Sequence, residues 1–165
     1  MENLFISKWW GNFIGGCDDS LLLLDYFGEL QSETLNLRQI FEDIHLDSAL
    51  ESGKIEDADL YFELKLGYAP HFDMAINVII DLSAILLECL YNKQVAINDL
   101  NESTKYQKSI KISATKQDIL LLKNGLDKFI NMPKSFELAE FLSEDELLEL
   151  INDCESISSE LNVFI

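Results

Sequence analysis

The sequence predicts a mainly α-helical fold: a single-domain helical bundle over residues 1–165, built around one central buried helix, with a small β-hairpin as a possible addition. Three observations lead there. His71–Asn92 is a run of 22 residues, 15 of them apolar, and at about 100° per residue its Asp73, Asn77, Asp81, Glu88 and Asn92 share one narrow polar stripe. A helix that is apolar on every other side must pack against several neighbours. Helix-start signals also stand ahead of periodic apolar segments, with Thr115 three residues before Asp118 and Ser143 three before Glu146. Finally, 48 % hydrophobic residues in a chain of 165 supply one core and exclude wholesale disorder.

Taken in order, residues 4–14 (LFISKWWGNFI) are aromatic-rich and read as extended or irregular, ending at Gly15-Gly16. Asp18, Asp19 and Ser20 offer N-caps for a helix to about Gln31, with an apolar surface of Leu21, Leu22, Leu24, Tyr26 and Phe27. Ser32 can cap the next helix, in which Leu37, Ile40, Phe41 and Ile44 recur at helical spacing. A short helix over Asp47–Ser52 closes at Gly53. Residues 60–66 alternate like a strand, yet Asp57 can cap a helix that uses Leu60, Tyr61, Leu64 and Tyr68. Helix is favoured, because a strand without a pairing partner is poorly stable. Pro70 breaks that segment and opens the central helix.

Residues 93–114 form a polar, lysine-rich connection in which Gln94–Ile97 and Ser109–Ser113 can pair antiparallel. Ile119, Leu122, Leu126, Phe129 and Ile130 mark a helix to about Met132, ended by Pro133. A short helix fills Phe136–Leu142. Ser143 then opens the last helix, along the seam Leu147, Leu150, Ile151, Cys154, Ile157 and Leu161.

The net charge of −18 speaks about partners rather than fold. Nucleic acid and anionic membrane surfaces are both disfavoured, since binding either needs clustered Lys and Arg. The charge is uneven. Residues 1–68 carry 14 acids against 4 bases and residues 135–165 carry 9 acids and no base, whereas 93–134 hold 8 lysines against 4 acids. Pairing of that lysine segment with the acidic ends neutralises only part of the excess. Each acidic cluster also has a plain reading as a solvated helix face. Cys17, Cys89 and Cys154 are odd in number and lie far apart, which suits a reduced, cytoplasmic protein. No signal peptide is read at the N-terminus, and three acids argue against a membrane role for 71–92.

Chemistry is harder to find. Glu42 and His45 have the E-x-x-H spacing of di-iron bundles but no second copy, so no metal and no cofactor is expected. The stretch DADLYFE lacks the glycine and third ligand of a calcium loop. Neither a P-loop nor a nucleophile elbow occurs, and no catalytic residue is assigned. Asp81 and Glu88 are expected at a half-exposed edge or paired with lysines, although burial would raise their pKa values and mark a pocket. On the last helix, Asp145, Glu149, Asp153 and Glu160 recur opposite the seam with no interleaved base. Like charges at i,i+4 cost a few tenths of a kcal/mol each, so the stripe suits a positively charged partner. A second acidic group comprises Glu42, Asp43, Asp57, Asp59 and Glu63.

Trp10-Gly11, Asp18-Asp19 and Leu24–Leu30 (LDYFGEL) are similar to the W-G pair, N-D-x-A turn and L-D-W-x-x-E-L helix of a bacterial family of small helical proteins. Gly53–Asp59 (GKIEDAD) resembles its acidic D-A-D segment, and SEDELLELINDCESISSEL its closing helix, with Ile151 where a tryptophan would stand. The family includes immunity proteins of polymorphic and contact-dependent growth inhibition toxins. The resemblance implies a non-enzymatic, cytoplasmic protein whose partner is a cognate toxin domain. Charge makes that domain basic, a nuclease above all, with the last-helix stripe the favoured contact and the second group the alternative. Two rival readings stand beside it: an acidic adaptor or subunit for another protein, and an enzyme built on Asp81, Glu88 or the Glu42–His45 pair.

Overall fold

The computed structural model describes residues 4–64 and 67–165. These form seven α-helices, three 3-10 turns and three short strands, mainly α with one small sheet. The centre is α4, Ala75–Asn92, whose first 15 residues are all buried. Around it pack α1 (Asp18–Glu29), α6 (Lys116–Asn131), α7 (Glu144–Asn162), the 3-10 turn Phe5–Lys8 and the small sheet. One hydrophobic cluster runs from Ile6 to Leu161.

Helix starts follow local chemistry. Thr115 Oγ1 accepts the Asp118 N–H at 3.2 Å, and Ser143 with Glu146 closes a full capping box at the head of α7. Asp47–Ser52 is α3, stopped at Gly53 in the left-handed conformation at φ 75°. Pro133 ends the sixth helix, and 3-10 turns follow at Pro133–Ser135 and Glu137–Phe141.

Four expectations are corrected. Residues 4–14, expected to be extended or irregular, open with the 3-10 turn and are irregular from Trp9 on. Ser32 caps no helix. Thr34–Asn36 is instead a strand, β1, and the helix after it, α2 (Leu37–Asp43), takes Asn36 as its N-cap, whose Oδ1 accepts the Gln39 N–H at 2.8 Å. β1 pairs in parallel with β3 (Ser109–Ser113), which also pairs antiparallel with β2 (Val95–Ala96), giving the order β1-β3-β2. The β2–β3 pairing is the expected one. A four-residue helix, α5 (Ile97–Leu100), follows β2 directly.

The third correction is to residues 60–66, of which 65 and 66 lie outside the described residues. Residues 60–64 are not helical: they run antiparallel to 68–72. Phe62 N–H donates to Pro70 O at 3.3 Å, Leu64 N–H to Tyr68 O at 2.8 Å and Phe72 N–H to Leu60 O at 2.9 Å. The partner of this extended segment is the stretch just downstream, whose last two residues, His71 and Phe72, helical periodicity assigns to the central helix. That moves the start of the central helix from His71 to Ala75, the fourth correction.

Candidate partner-binding surfaces

The polar stripe of α4 is neither a half-exposed edge nor paired with lysine. Asn77, Asp81 and Glu88 are all buried, because the N-terminal segment and the first helix lie along the stripe. Glu88 Oε1 accepts the Ile6 N–H at 2.9 Å, and its other oxygen accepts from Asn92 Nδ2. Asp81 Oδ1 accepts the Gly15 N–H at 3.1 Å, and Oδ2 accepts from the Ser20 hydroxyl. Burial pushes the Asp81 carboxyl up to about 7, against the pull of those two hydrogen bonds. Asp19 of α1 reaches the start of α4, accepting from the Asp73 N–H at 2.7 Å and the Met74 N–H at 3.0 Å. It supplies the N-terminal acid that α4 lacks in its own first turn. These carboxylates tie the N-terminal segment and α1 to α4.

Three members of the second acidic group do meet at a cleft. Glu42 and Asp43 end α2, and Glu63 sits on the 60–64 strand across from them. With Tyr26, Phe62, Leu64 and Tyr68 they line a concavity of ≈ 740 Å³. Asp43 is held in place by donors from two helices, the Tyr26 hydroxyl at 2.7 Å on Oδ2 and Gln39 Nε2 at 2.6 Å on Oδ1. Burial and then the Asp43 bond raise the Tyr26 hydroxyl well above its ordinary pKa, so it stays a donor. Tyr68 is 65 % exposed. Glu29, also on the rim, accepts from the Tyr106 hydroxyl and lies 3.9 Å from Lys105 Nζ. The Tyr106 ring rests against Gly28, where any Cβ would collide with it. Among the described residues no cation pairs with Glu42, Asp43 or Glu63.

His45 lines the same cleft but shares no helix face with Glu42. The helix has already stopped: Leu46 N–H returns to Phe41 O at 2.8 Å and His45 N–H to Glu42 O at 3.2 Å, with His45 left-handed at φ 64°. Its ring stacks on Tyr61 (centroids 4.0 Å apart), which stacks on His71 (4.9 Å), whose Nδ1 lies 2.8 Å from Asp59 Oδ1. Asp59 is thus tied to the cleft's edge through three rings. Asp57 is exposed on the same loop but does not line the cleft.

The last-helix stripe is less uniform than its spacing suggests. Asp145 and Glu149 are exposed. Asp153 is half-buried, and burial followed by the neighbouring Glu149 charge pushes its carboxyl upward. Glu149 and Asp153, with Glu146, Phe13 and Cys17, line a smaller cleft of ≈ 280 Å³. Glu160 stands apart, accepting from the Tyr91 hydroxyl at 2.7 Å. Cys89 and Cys154 are buried, and burial pushes the Cys89 thiol up to about 12, away from reactivity.

Sequence reasoning missed Tyr26, Glu29, Phe62 and Tyr68 as surface-shaping residues. Tyr68 and Phe62 had been placed on helices, and only the antiparallel return at 68–72 brings them beside the end of α2.

The chain is thus a small, strongly acidic helical protein with a cleft lined by aromatic and carboxylate side chains. A family description, Immunity protein 68, matches residues 5–161, and the chain belongs to that family. Membership points to a toxin-neutralising role. No match was found among curated proteins or among solved structures.

Proposed function

We propose that this protein works in the cytoplasm by binding rather than catalysis, neutralising a basic cognate toxin domain, a nuclease by the charge argument, through occlusion of its active site. The observation that carries the choice of surface is the cleft, where four carboxylates and two tyrosines line one concavity. Two acids at the C-terminal end of α2 already face the negative pole of its dipole, so a cation there gains from both. Among the described residues only five carboxylates pair with Lys or Arg, out of 30 acids in the chain, which leaves a field able to steer a basic partner. The last-helix stripe is the second candidate face, weakened by Glu160 accepting from Tyr91 and by Asp153 being half-buried.

The test is co-expression with the cognate toxin domain, sought among the C-terminal domains of secreted proteins encoded beside this gene. Glu42→Lys with Glu63→Lys should abolish protection and slow association in low salt, because exposed charges act mainly on the on-rate. Asp145→Lys with Glu149→Lys should leave protection intact. The opposite pattern moves the interface to the last helix, and protection surviving both pairs removes charge from the explanation.

A further inference from the structure

We propose that the cleft between the end of α1, the end of α2 and the 60–64 strand takes a single arginine side chain of the partner protein. This deepens the reading above and rests on it for the identity of the partner, though not for the chemistry of the pocket.

The occupant follows from what lines the concavity. Its walls are aromatic and aliphatic, with Tyr68 presenting an exposed ring and Phe62 and Leu64 beneath. Its carboxylates come from separate segments, Glu42 and Asp43 from α2 and Glu63 from the extended stretch 60–64. Such a site asks for a group that is flat, apolar on its faces and cationic at its edge. Guanidinium meets all three demands, because it stacks on aromatic faces, is weakly hydrated and spreads five N–H donors in a plane. An ammonium is a strongly hydrated point charge and uses the ring and only one carboxylate well. Anionic side chains are repelled by Glu42, Asp43 and Glu63, carboxylates that pair with no cation among the described residues.

Asp43 is the anchor. Each of its oxygens already receives one hydrogen bond, from Tyr26 and Gln39, and each keeps a second acceptor site for a fork-shaped donor. Its geometry is therefore set before the partner arrives, which reduces the ordering cost of binding. Glu42 and Glu63 are exposed and free to adjust.

The experiment uses the intact protein and blocked tripeptides carrying one Arg, one Lys or one norleucine between glycines. Backbone amide shifts are followed by NMR during each titration. The Arg peptide should move the amides of Asp43, Glu63, Leu64 and Tyr68, and bind at least about fivefold more tightly than the Lys peptide, the margin a stacked bidentate contact supplies over a point charge. Norleucine should move nothing. Tyr68→Ala and Glu63→Gln each change an exposed side chain and leave the fold unaltered, and each should weaken Arg binding while bringing Lys level with it. Asp43→Asn should do the same more strongly, with melting curves recorded as a folding control. Equal affinity for Arg and Lys, or shifts spread across α7 as well, would overturn the arginine pocket even if the cleft-face reversals abolish protection. Conversely, an Arg-selective cleft in a protein whose protection survives Glu42→Lys with Glu63→Lys would keep the pocket and remove the toxin from it.

Discussion

Asp81 shows how far one residue can be misjudged from sequence. Its place in a polar stripe was legible; that the stripe faces inward was not, because what covers it comes from residues 6–20, some 60 positions away. Gly15 explains part of that covering. It is left-handed at φ 81°, and the Trp10 indole lies where its Cβ would be, so only glycine lets the chain turn there and present its N–H to Asp81. A carboxyl whose folded pKa is raised from 3.8 to about 7 holds a proton that the unfolded chain has lost. Folding stability from this group is thus fully present at low pH and falls as pH rises through that window, by up to about 1.4 kcal/mol per pH unit. Asp81→Asn keeps an acceptor for Gly15 and removes the titration. Urea melts from pH 4 to pH 8 should show wild-type stability falling relative to the variant, with the difference levelling off above pH 7. A constant difference across that range would mean that Asp81 is ionised throughout.

At the scale of elements, what was legible is what is encoded locally. The caps at Thr115 and Ser143, the stop at Gly53 and the β2–β3 pair all depend on residues close in sequence or on a strong pattern. The parallel pairing of β1 with β3 depends on Thr34 meeting Lys111, and three residues carry no periodicity by which to recognise a strand. Residues 60–64 failed for a different reason: their alternation was visible, but their partner was hidden inside an apparent helix. The N-terminal element is the most heavily anchored of those without regular length. Ile6, Trp9, Trp10 and Ile14 are buried, Trp10 Nε1 donates to Leu100 O at 2.9 Å, and Phe5 stacks on Tyr91 at 4.0 Å. Deleting residues 1–14 strips that apolar surface from α4 and leaves Glu88 without its Ile6 donor, an orphaned buried group costing about 1–3 kcal/mol by itself. With a domain's whole stability near 5–15 kcal/mol, the truncated protein should show no cooperative melt above room temperature. A melting temperature within a few degrees of wild type would mean that the segment merely rests on the core.

At the scale of the molecule, charge has two consequences of opposite sign with salt. The acidic excess of −18 is spread over a surface where few acids have partners, so the folded state repels itself more than the expanded chain does. The candidate site was only partly legible here. Nine acids were singled out by spacing and local charge; three converge on one cleft, and the aromatic half of that cleft came from tertiary structure. On the proposed reading, partner capture draws on the same field that strains the fold. Raising ionic strength from about 0.02 M to about 0.5 M shortens the Debye length from roughly 20 Å to roughly 4 Å, which screens exposed charges from one another. The free protein should therefore melt several degrees higher in the stronger salt, while association with a basic partner slows by one to two orders of magnitude. Calorimetry of the protein alone and stopped-flow mixing with the toxin domain read the two effects separately. The Glu42→Lys, Glu63→Lys protein has its net negative charge reduced by four, and should lose more of the on-rate's salt dependence than the Asp145→Lys, Glu149→Lys protein of equal charge. If the two variants behave alike, the field acts as a whole and the cleft has no privileged part in steering. If melting is insensitive to salt, the repulsion is already relieved by the spacing of the surface acids, and the excess charge carries no cost that binding must offset.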